Sequence, residues 1–292
     1  MANPRELRRR IRSTQNTRKI TKTMELVATS KLKRAQDRVV AARPYAAALA
    51  AVIADLYSPS LAERFALLRQ PPATGAKPTA LVLITSNRGL CGAFNANLIR
   101  EGRRRMQELE RAGGSVALHL VGKKGIGFFK FAGQAIASQR VDIGDRPTAE
   151  HAADLMAPLV AAFQAGQLDA VEVVFARFNS ALSTPPSVQR ILPVTPPQAA
   201  AGRAAPANYI LRPSAEEILD RLLPLYVANQ MFRALVETAA AEHGARRTAM
   251  KNATDNAGDM LNTLRRTYNR ARQANITQEI AEIVGGAAAQ GG

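Results

Sequence analysis

Gly89 and Gly92 stand in the stretch LVLITSNRGLCGAFNANLIREG (81–102), where a strand-like apolar run gives way to a glycine-bearing loop and then to a helical pattern. Such an arrangement can hold phosphate, because a glycine turn lets backbone N–H groups approach the ligand and the next helix presents its positive end. The spacing does not fit. A P-loop needs two glycines five residues apart followed at once by Lys and Ser or Thr, whereas Gly89 and Gly92 bracket only Leu90 and Cys91. G-x-G-x-x-G is absent, and GKKGIG (122–127) has its glycines in another order after a different strand. The loop 87–95 is therefore expected to bind no nucleotide, and no cofactor is expected elsewhere.

Other chemistry-bearing residues are sparse. Cys91 is the single cysteine, so no intrachain disulfide can form and no cysteine-based zinc cluster can be assembled. His119 sits mid-strand and His151 on a helix, neither beside a paired nucleophile, so no catalytic and no metal residue is assigned. What must be explained instead is charge. The 292 residues carry a net +17, which suits nucleic acid, an acidic membrane surface or acidic protein partners. Residues 1–43 hold thirteen Lys and Arg against Glu6, Glu25 and Asp37, and residues 244–275 hold seven against Asp255 and Asp259. Two basic regions therefore lie near opposite ends of the chain.

Both lie on long helical patterns. From Ala28 the small or apolar positions run Leu32, Ala35, Val39, Ala42, Ala46, Leu49, Ile53 and Leu56 in steps of four and three, a heptad seam. Leu7 and Ile11, then Ile20 and Met24, extend it upstream in a shifted phase, predicting one helix over about residues 4–57 with a kink at Pro44. From Leu222 the series Leu225, Asn229, Phe232, Val236, Ala239, His243, Arg246, Met250, Ala253, Ala257, Met260 and Leu264 keeps the same alternation. Ser214 with Glu217 forms a capping box at its start, and Gly285 with Gly286 is expected to end the helix after residue 284.

Between them strands and helices alternate. Strands are predicted at 79–86, 115–122, 135–143, 169–180 and 186–194, with helices near 94–112, 123–132 and 148–165. The fold class is therefore α/β: a long antiparallel coiled coil of the N- and C-terminal helices with an inserted Rossmann-like α/β domain on a mainly parallel sheet. The segments are 1–57 for the first helix, 58–78 a linker, 79–194 the α/β domain, 195–213 a second linker, and 214–292 the last helix and tail. Antiparallel pairing sets residue i roughly against 270 − i, leaving about 17 residues of the last helix (268–284) without a partner in their own chain. That overhang carries an apolar stripe of Ile276, Ile280 and Ile283. The same pairing gathers the two basic regions into one collar, which repels itself unless acidic partners surround it.

Three segments carry a family resemblance: IRSTQNTRKITKTMELVATSKLKRAQ (11–36), SNRGLCGAFN (86–95) and AMKNATDNAGDMLNTLRRTYNRARQANITQEIAEIVGGA (249–287). Through them the chain resembles the gamma-subunit family of F-type ATP synthases. The likeness implies a non-catalytic central-stalk rotor subunit, one copy per complex, coupling rotation of a membrane c-ring to ATP synthesis or hydrolysis in catalytic β subunits. It implies as partners three α and three β subunits, an epsilon subunit and the c-ring. It also implies a peripheral place on the cytoplasmic face of the bacterial inner membrane, with membrane contact only through the complex. Carried over by position, Met24, Arg246, Arg272, Gln273, Thr277 and Glu279 are expected to face loops of the β subunits, and Tyr209 the c-ring.

The rival reading is a basic nucleic-acid-binding coiled coil. It lacks the aromatic residues that single-strand binders interleave with a basic run. The alternative of an enzyme in the α/β domain lacks a nucleophile and base. No run of about eighteen apolar residues is seen, and the basic start lacks the apolar core of a signal peptide.

Overall fold

A computed structural model describes residues 4–57, 64–69, 78–180, 183–195 and 214–290. The elements are α1 (Pro4–Leu56), a 3-10 turn (Ala66–Leu68), β1 (Thr79–Ile84), α2 (Phe94–Arg111), β2 (Val116–Val121), α3 (Lys123–Phe131), β3 (Ser138–Arg140), α4 (Ala149–Gln164), β4 (Ala170–Ala176), β5 (Pro186–Leu192) and α5 (Ala215–Gln290). The chain divides into two compact units: Met1–Ala28 with Arg247–Gly292, and Thr29–Arg246. Both divisions fall within the long helices.

The larger unit, Thr29–Arg246, is built on a five-stranded sheet of order β3-β2-β1-β4-β5. The first three neighbour pairs are parallel and β4–β5 is antiparallel. All residues of β1 (TALVLI) and β4 (AVEVVFA) are buried, as expected of strands covered on both faces. One face, bearing Val82, Ile84, Val171 and Val173, packs against Leu155, Leu159 and Phe163 of α4 and against Ile53, Leu219, Leu223 and Met231 of the long helices. The other face, bearing Leu81, Leu83 and Val174, packs against Phe94, Leu98 and Met106 of α2 and Ile126 and Phe129 of α3. On that face the carboxylate of Glu172 is buried between Arg105, 2.6 Å away, and Arg190, 3.1 Å away. The third predicted strand shrinks to three residues, because at the sheet edge only Ser138, Gln139 and Arg140 find partners in β2.

The seam of α1 is confirmed from Ala28 to Leu56, with Ala42 alone half-exposed. The helix also contains an 18-residue window of mean hydropathy 1.6. Its Leu49, Ile53 and Leu56 belong to the packed core of this unit, which accounts for their apolar character.

On α5 the expected seam needs correction. Leu225 and Met260 are exposed, while Leu219, Leu223, Val227, Met231, Thr254 and Leu261 are buried. The phase fits from Val236 to Ala257; ahead of it the buried stripe is the one that packs on the sheet's core, Leu219, Leu223, Val227 and Met231, and beyond it Leu261 replaces Met260, since a strict 3.5-residue repeat drifts by about 20° per heptad against a straight helix. Between Ala234 and Gly244 nearly every residue is buried. There α1 covers one side, through the cluster of Ala35, Val39, Val236 and Ala240, and the sheet's helices cover another.

The smaller unit pairs the first part of α1 with the last part of α5. Thr21 and Thr254 are buried with their hydroxyls 2.8 Å apart, and Thr14 reaches the sulfur of Met260 at 3.9 Å. The partners therefore sum to about 275, within several residues of the expected register. Ile20, assigned to the seam from its spacing, is 60% exposed, and the neighbouring Thr21 takes its place. Side-chain hydrogen bonding makes a threonine acceptable where the apolar pattern favours isoleucine.

The helix does not stop at Gly285 and Gly286 but continues to Gln290. Each glycine costs about 1 kcal/mol in a helix, and the alanines that follow favour continuation. At the other end the Glu217 N–H donates to Ser214 Oγ at 3.2 Å, which is the N-cap half of the expected capping box.

Candidate functional site

The glycine loop is the first candidate. The chain leaves β1 through Thr85, Ser86 and Asn87, and each of these closes on neighbouring backbone. The helix that this loop opens is α2, whose Phe94 N–H donates to the Cys91 carbonyl at 3.3 Å, and the first N–H groups of the neighbouring α3 are turned onto the residues that leave β1. Lys123 N–H donates to Asn87 Oδ1 at 3.0 Å, Lys124 N–H to the Ser86 carbonyl at 3.1 Å, and Gly125 N–H to Thr85 Oγ1 at 2.9 Å. Asn87 also donates to the carbonyls of Val141 and Ile143, and Ser86 N–H donates to Asn95 Oδ1, all at 3.0 Å. Gly122 is required at this join: its φ is +98° and a Cβ there would stand 2.1 Å from the Thr85 carbonyl oxygen. The loop works as a brace between strand and helix.

Cys91 is buried in the same loop, where it accepts from Asn95 Nδ2 at 3.2 Å. Burial pushes its thiol up from the ordinary value, against the lowering charge of Arg246.

A charged interlock joins four pieces of the larger unit. Lys31 of α1 pairs with Asp145 of the β3–α4 connection. On α5, Arg246 pairs with Glu242 at 2.6 Å and donates to the Gly89 carbonyl of the loop from Nε at 3.3 Å and Nη2 at 3.2 Å. His243 lies between them, its Nδ1 3.4 Å from Arg246 Nη1 and its Nε2 3.9 Å from Asp145. With Nδ1 accepting from Arg246, the neutral ring carries its proton on Nε2, facing Asp145. Burial holds the His243 pKa down to about 4, helped by Arg246, Lys31 and Arg88 and opposed by Asp145. Burial would lift Asp145, but the Lys31 hydrogen bond and the surrounding positive charge outweigh it and hold it low. Burial lifts Glu242 despite its pairing with Arg246. Both carboxylates have cationic partners at contact distance.

The residues expected to meet neighbouring subunits fall into three groups. Arg272, Gln273, Thr277 and Glu279 are exposed along the last part of α5, beside exposed Ile276, Ile280, Ile283 and Val284. Thr277 bonds only back to the Gln273 carbonyl, at 3.0 Å. Met24 is half-buried, and next to it Ile20, Leu26 and Val27 are exposed. Arg246 is set apart from the others, buried with its guanidinium committed to Glu242 and Gly89. Tyr209 lies outside the described residues.

Sequence reasoning missed Lys31, Asp145 and Glu242, which lie far apart in the chain and join only through the fold. The polar residues Glu242, His243 and Arg246, directly after the apolar run Ala239–Ala241, were the available signal.

Comparison with known proteins bears on this arrangement. The ATP synthase family profile matches residues 3–290. A protein named ATP synthase gamma chain from Gemmatimonas aurantiaca is 61% identical over 289 residues, covering 99% of each chain. Among solved structures, a chain of the Euglena gracilis mitochondrial ATP synthase (OSCP/F1/c-ring, rotational state 3) superposes with a TM-score of 0.69 at 20% identity, covering 98% of this chain and 94% of that one. A chain of the Tetrahymena thermophila mitochondrial ATP synthase (central stalk/c-ring) gives a TM-score of 0.56 at 26% identity, covering 80% and 99%.

Proposed function

Because this chain belongs to the ATP synthase gamma-chain family, we propose that it is the rotor subunit of the central stalk in a proton-translocating F-type ATP synthase. It carries no catalysis itself: nucleotides turn over in the β subunits, and this chain sets which conformation each adopts. One copy serves three α and three β subunits and joins them to an epsilon subunit and the c-ring, at the cytoplasmic face of the bacterial inner membrane.

The observation that carries the reading, beside family membership, is the exposed stripe of Ile276, Ile280, Ile283 and Val284 on a helix that also bears Arg272, Gln273, Thr277 and Glu279. An isolated helix of this length is marginal in water and draws its stability from burial. A collar of α and β subunits supplies that burial. The exposed polar residues and the Met24 region then meet β loops, while Arg246 acts as a positioning residue that holds α5 on the glycine loop. A surface touching every β subunit equally would shift no equilibrium. Moving one β subunit from 1:99 to 99:1 between two conformations takes about 5.5 kcal/mol of differential contact.

The test is to assemble the chain with α and β subunits, fix the β subunits to a surface and attach a bead to an exposed cysteine introduced on α2. ATP should drive one-way rotation in three-fold steps. Assembly without rotation, with ATP hydrolysis intact, would overturn the reading.

A further inference from the structure

The larger unit contains a cleft of about 670 Å³ at the carboxyl ends of β1 and β2, lined by Ile84, Thr85 and Ser86 from one strand and Val121 from the other. Sheet order reverses at β1, with β2 and β3 to one side and β4 and β5 to the other. The reversal itself falls between β1 and β4, next to the cleft; in open α/β sheets ligands bind outside the carboxyl ends of the strands, which is the side the cleft occupies. The volume lies within the range of small-molecule pockets.

Charge says what kind of molecule suits it. Three carboxylates line the cleft, and each already has a cation: Asp142 is paired with Arg140 at 2.6 Å, Asp145 with Lys31, and Glu242 with Arg246 at 2.6 Å. Five further cations line it: Arg34, Arg38, Arg88, Lys123 and Arg146. Among the described residues none of the five makes an ion pair. Arg34 bonds only Ser30, one turn back, at 3.4 Å, and the charge of Arg88 is felt by Asp145 and Glu242 without a contact. Arg34 and Arg38 are one turn apart on α1, whereas Arg88 and Arg146 come from the connections after β1 and β3 and Lys123 opens α3. Positive charge converges from several elements on one recess whose floor is apolar at Ile84, Val121, Ile143 and Leu235. Low-dielectric walls around charge of one sign concentrate the field and raise the local concentration of counter-ions.

We propose that this cleft binds a compact anion with two or more adjacent phosphoryl groups, either pyrophosphate or the phosphate chain of a nucleotide. The anion is held by side chains. The N–H groups at the start of α3 take no part, since they are bonded to Thr85, Ser86 and Asn87. Adjacent phosphoryl groups offer several charged oxygens and so suit cations brought in from more than one element, Arg38 from α1 and Lys123 from α3.

Isothermal titration of the full chain with pyrophosphate at physiological ionic strength tests this. One site per chain is expected, with a dissociation constant below about 1 mM. Arg38→Ala with Lys123→Ala should weaken it at least about tenfold, as loss of two charge-assisted contacts requires. Arg43→Ala with Arg221→Ala removes the same charge from exposed positions outside the cleft and should leave affinity within about twofold, since distant exposed charges are screened. Circular dichroism confirms that both variants remain folded. ADP and AMP separate the sources. ADP binding as well as or better than pyrophosphate, with AMP weak, supports the phosphate chain of a nucleotide, and pyrophosphate alone supports an inorganic ligand. Absence of saturable binding, several equivalent sites, or equal loss in both double variants overturns the proposal.

Discussion

Arg246 donates to the backbone carbonyl of Gly89 from two nitrogens, at 3.3 and 3.2 Å, while the same guanidinium pairs with Glu242 at 2.6 Å. One side chain thus joins two elements 157 residues apart in the chain. Arg246→Ala leaves the Glu242 carboxylate buried without its cation and should destabilise the protein by about 3 kcal/mol. Glu242→Ala should cost less, because Arg246 keeps Gly89. The double variant should cost less than the sum, by more than about 1 kcal/mol. Urea denaturation of the four proteins measures the cycle, and strict additivity would show that the two residues do not act together.

His243 sets a pH dependence. Its folded pKa is held at about 4, below the ordinary histidine value of about 6.5. Between those values the unfolded chain binds more protons, so stability is complete above about pH 6.5 and falls as pH drops toward 4. The full loss from this group is about 3 kcal/mol. The raised Glu242 acts in the opposite direction, since protonation suits its folded environment, and blunts the slope. Comparing denaturation midpoints at pH 7 and pH 5 for the native chain and His243→Gln isolates the histidine. The variant should show a clearly smaller change.

The exposed stripe on α5 predicts a gradient of protection. In the free chain, amide hydrogens of residues 272–284 should exchange within seconds to minutes, while those of 32–53, whose seam is packed, exchange far more slowly. Assembly with α and β subunits should slow exchange in the tail by orders of magnitude. Equal protection of the tail before and after assembly would remove the collar from the proposed function.

Cys91 should behave as an inert thiol. Burial raises its pKa, and the thiolate is the reactive form. A thiol-reactive dye should label the native chain at least about tenfold more slowly than the denatured chain, and ATPase activity of the complex assembled with the native chain should not depend on reductant through this thiol, so that reductant-dependent activation lost in Cys91→Ser would overturn the assignment. Fast labelling of the native chain would show that the loop opens.

Periodic burial is what made most of the fold legible. The α1 seam from Ala28 to Leu56 and the two apolar strands β1 and β4 repeat a single environment along their length, so residue type follows position directly. Legibility failed where a residue answers to two surfaces or to none. Between Ala234 and Gly244 α5 is covered on several sides, so no single stripe marks the seam, and the phase that fits there fails on both sides of it, at Leu225 and at Met260. Ile20 misled for the opposite reason: it is an exposed isoleucine beside a buried threonine, an inversion of the usual pattern. The interlock was out of reach, because the partnership of Lys31 with Asp145 depends on where the β3–α4 connection lands, which no local spacing encodes. Arg246 was singled out, but its burial against Gly89 was not foreseen.

The buried hydroxyls of Thr21 and Thr254 work as a key in a keyway. Coiled pairs under load tend to slip by whole heptads, since one apolar layer substitutes for another at little cost. Here a slip of one heptad that carries Thr21 to Leu261 brings Thr254 against Ala28, and both hydroxyls lose their polar partner across the seam. Each keeps its bond back to its own helix, Thr21 to the Arg18 carbonyl and Thr254 to the Met250 carbonyl, so the slip costs the one bond between the helices, about 1 kcal/mol, a penalty absent from the apolar layers around it. A drive element need not be stiff everywhere to hold its timing. One indexed layer keeps the two helices from creeping past each other, turn after turn.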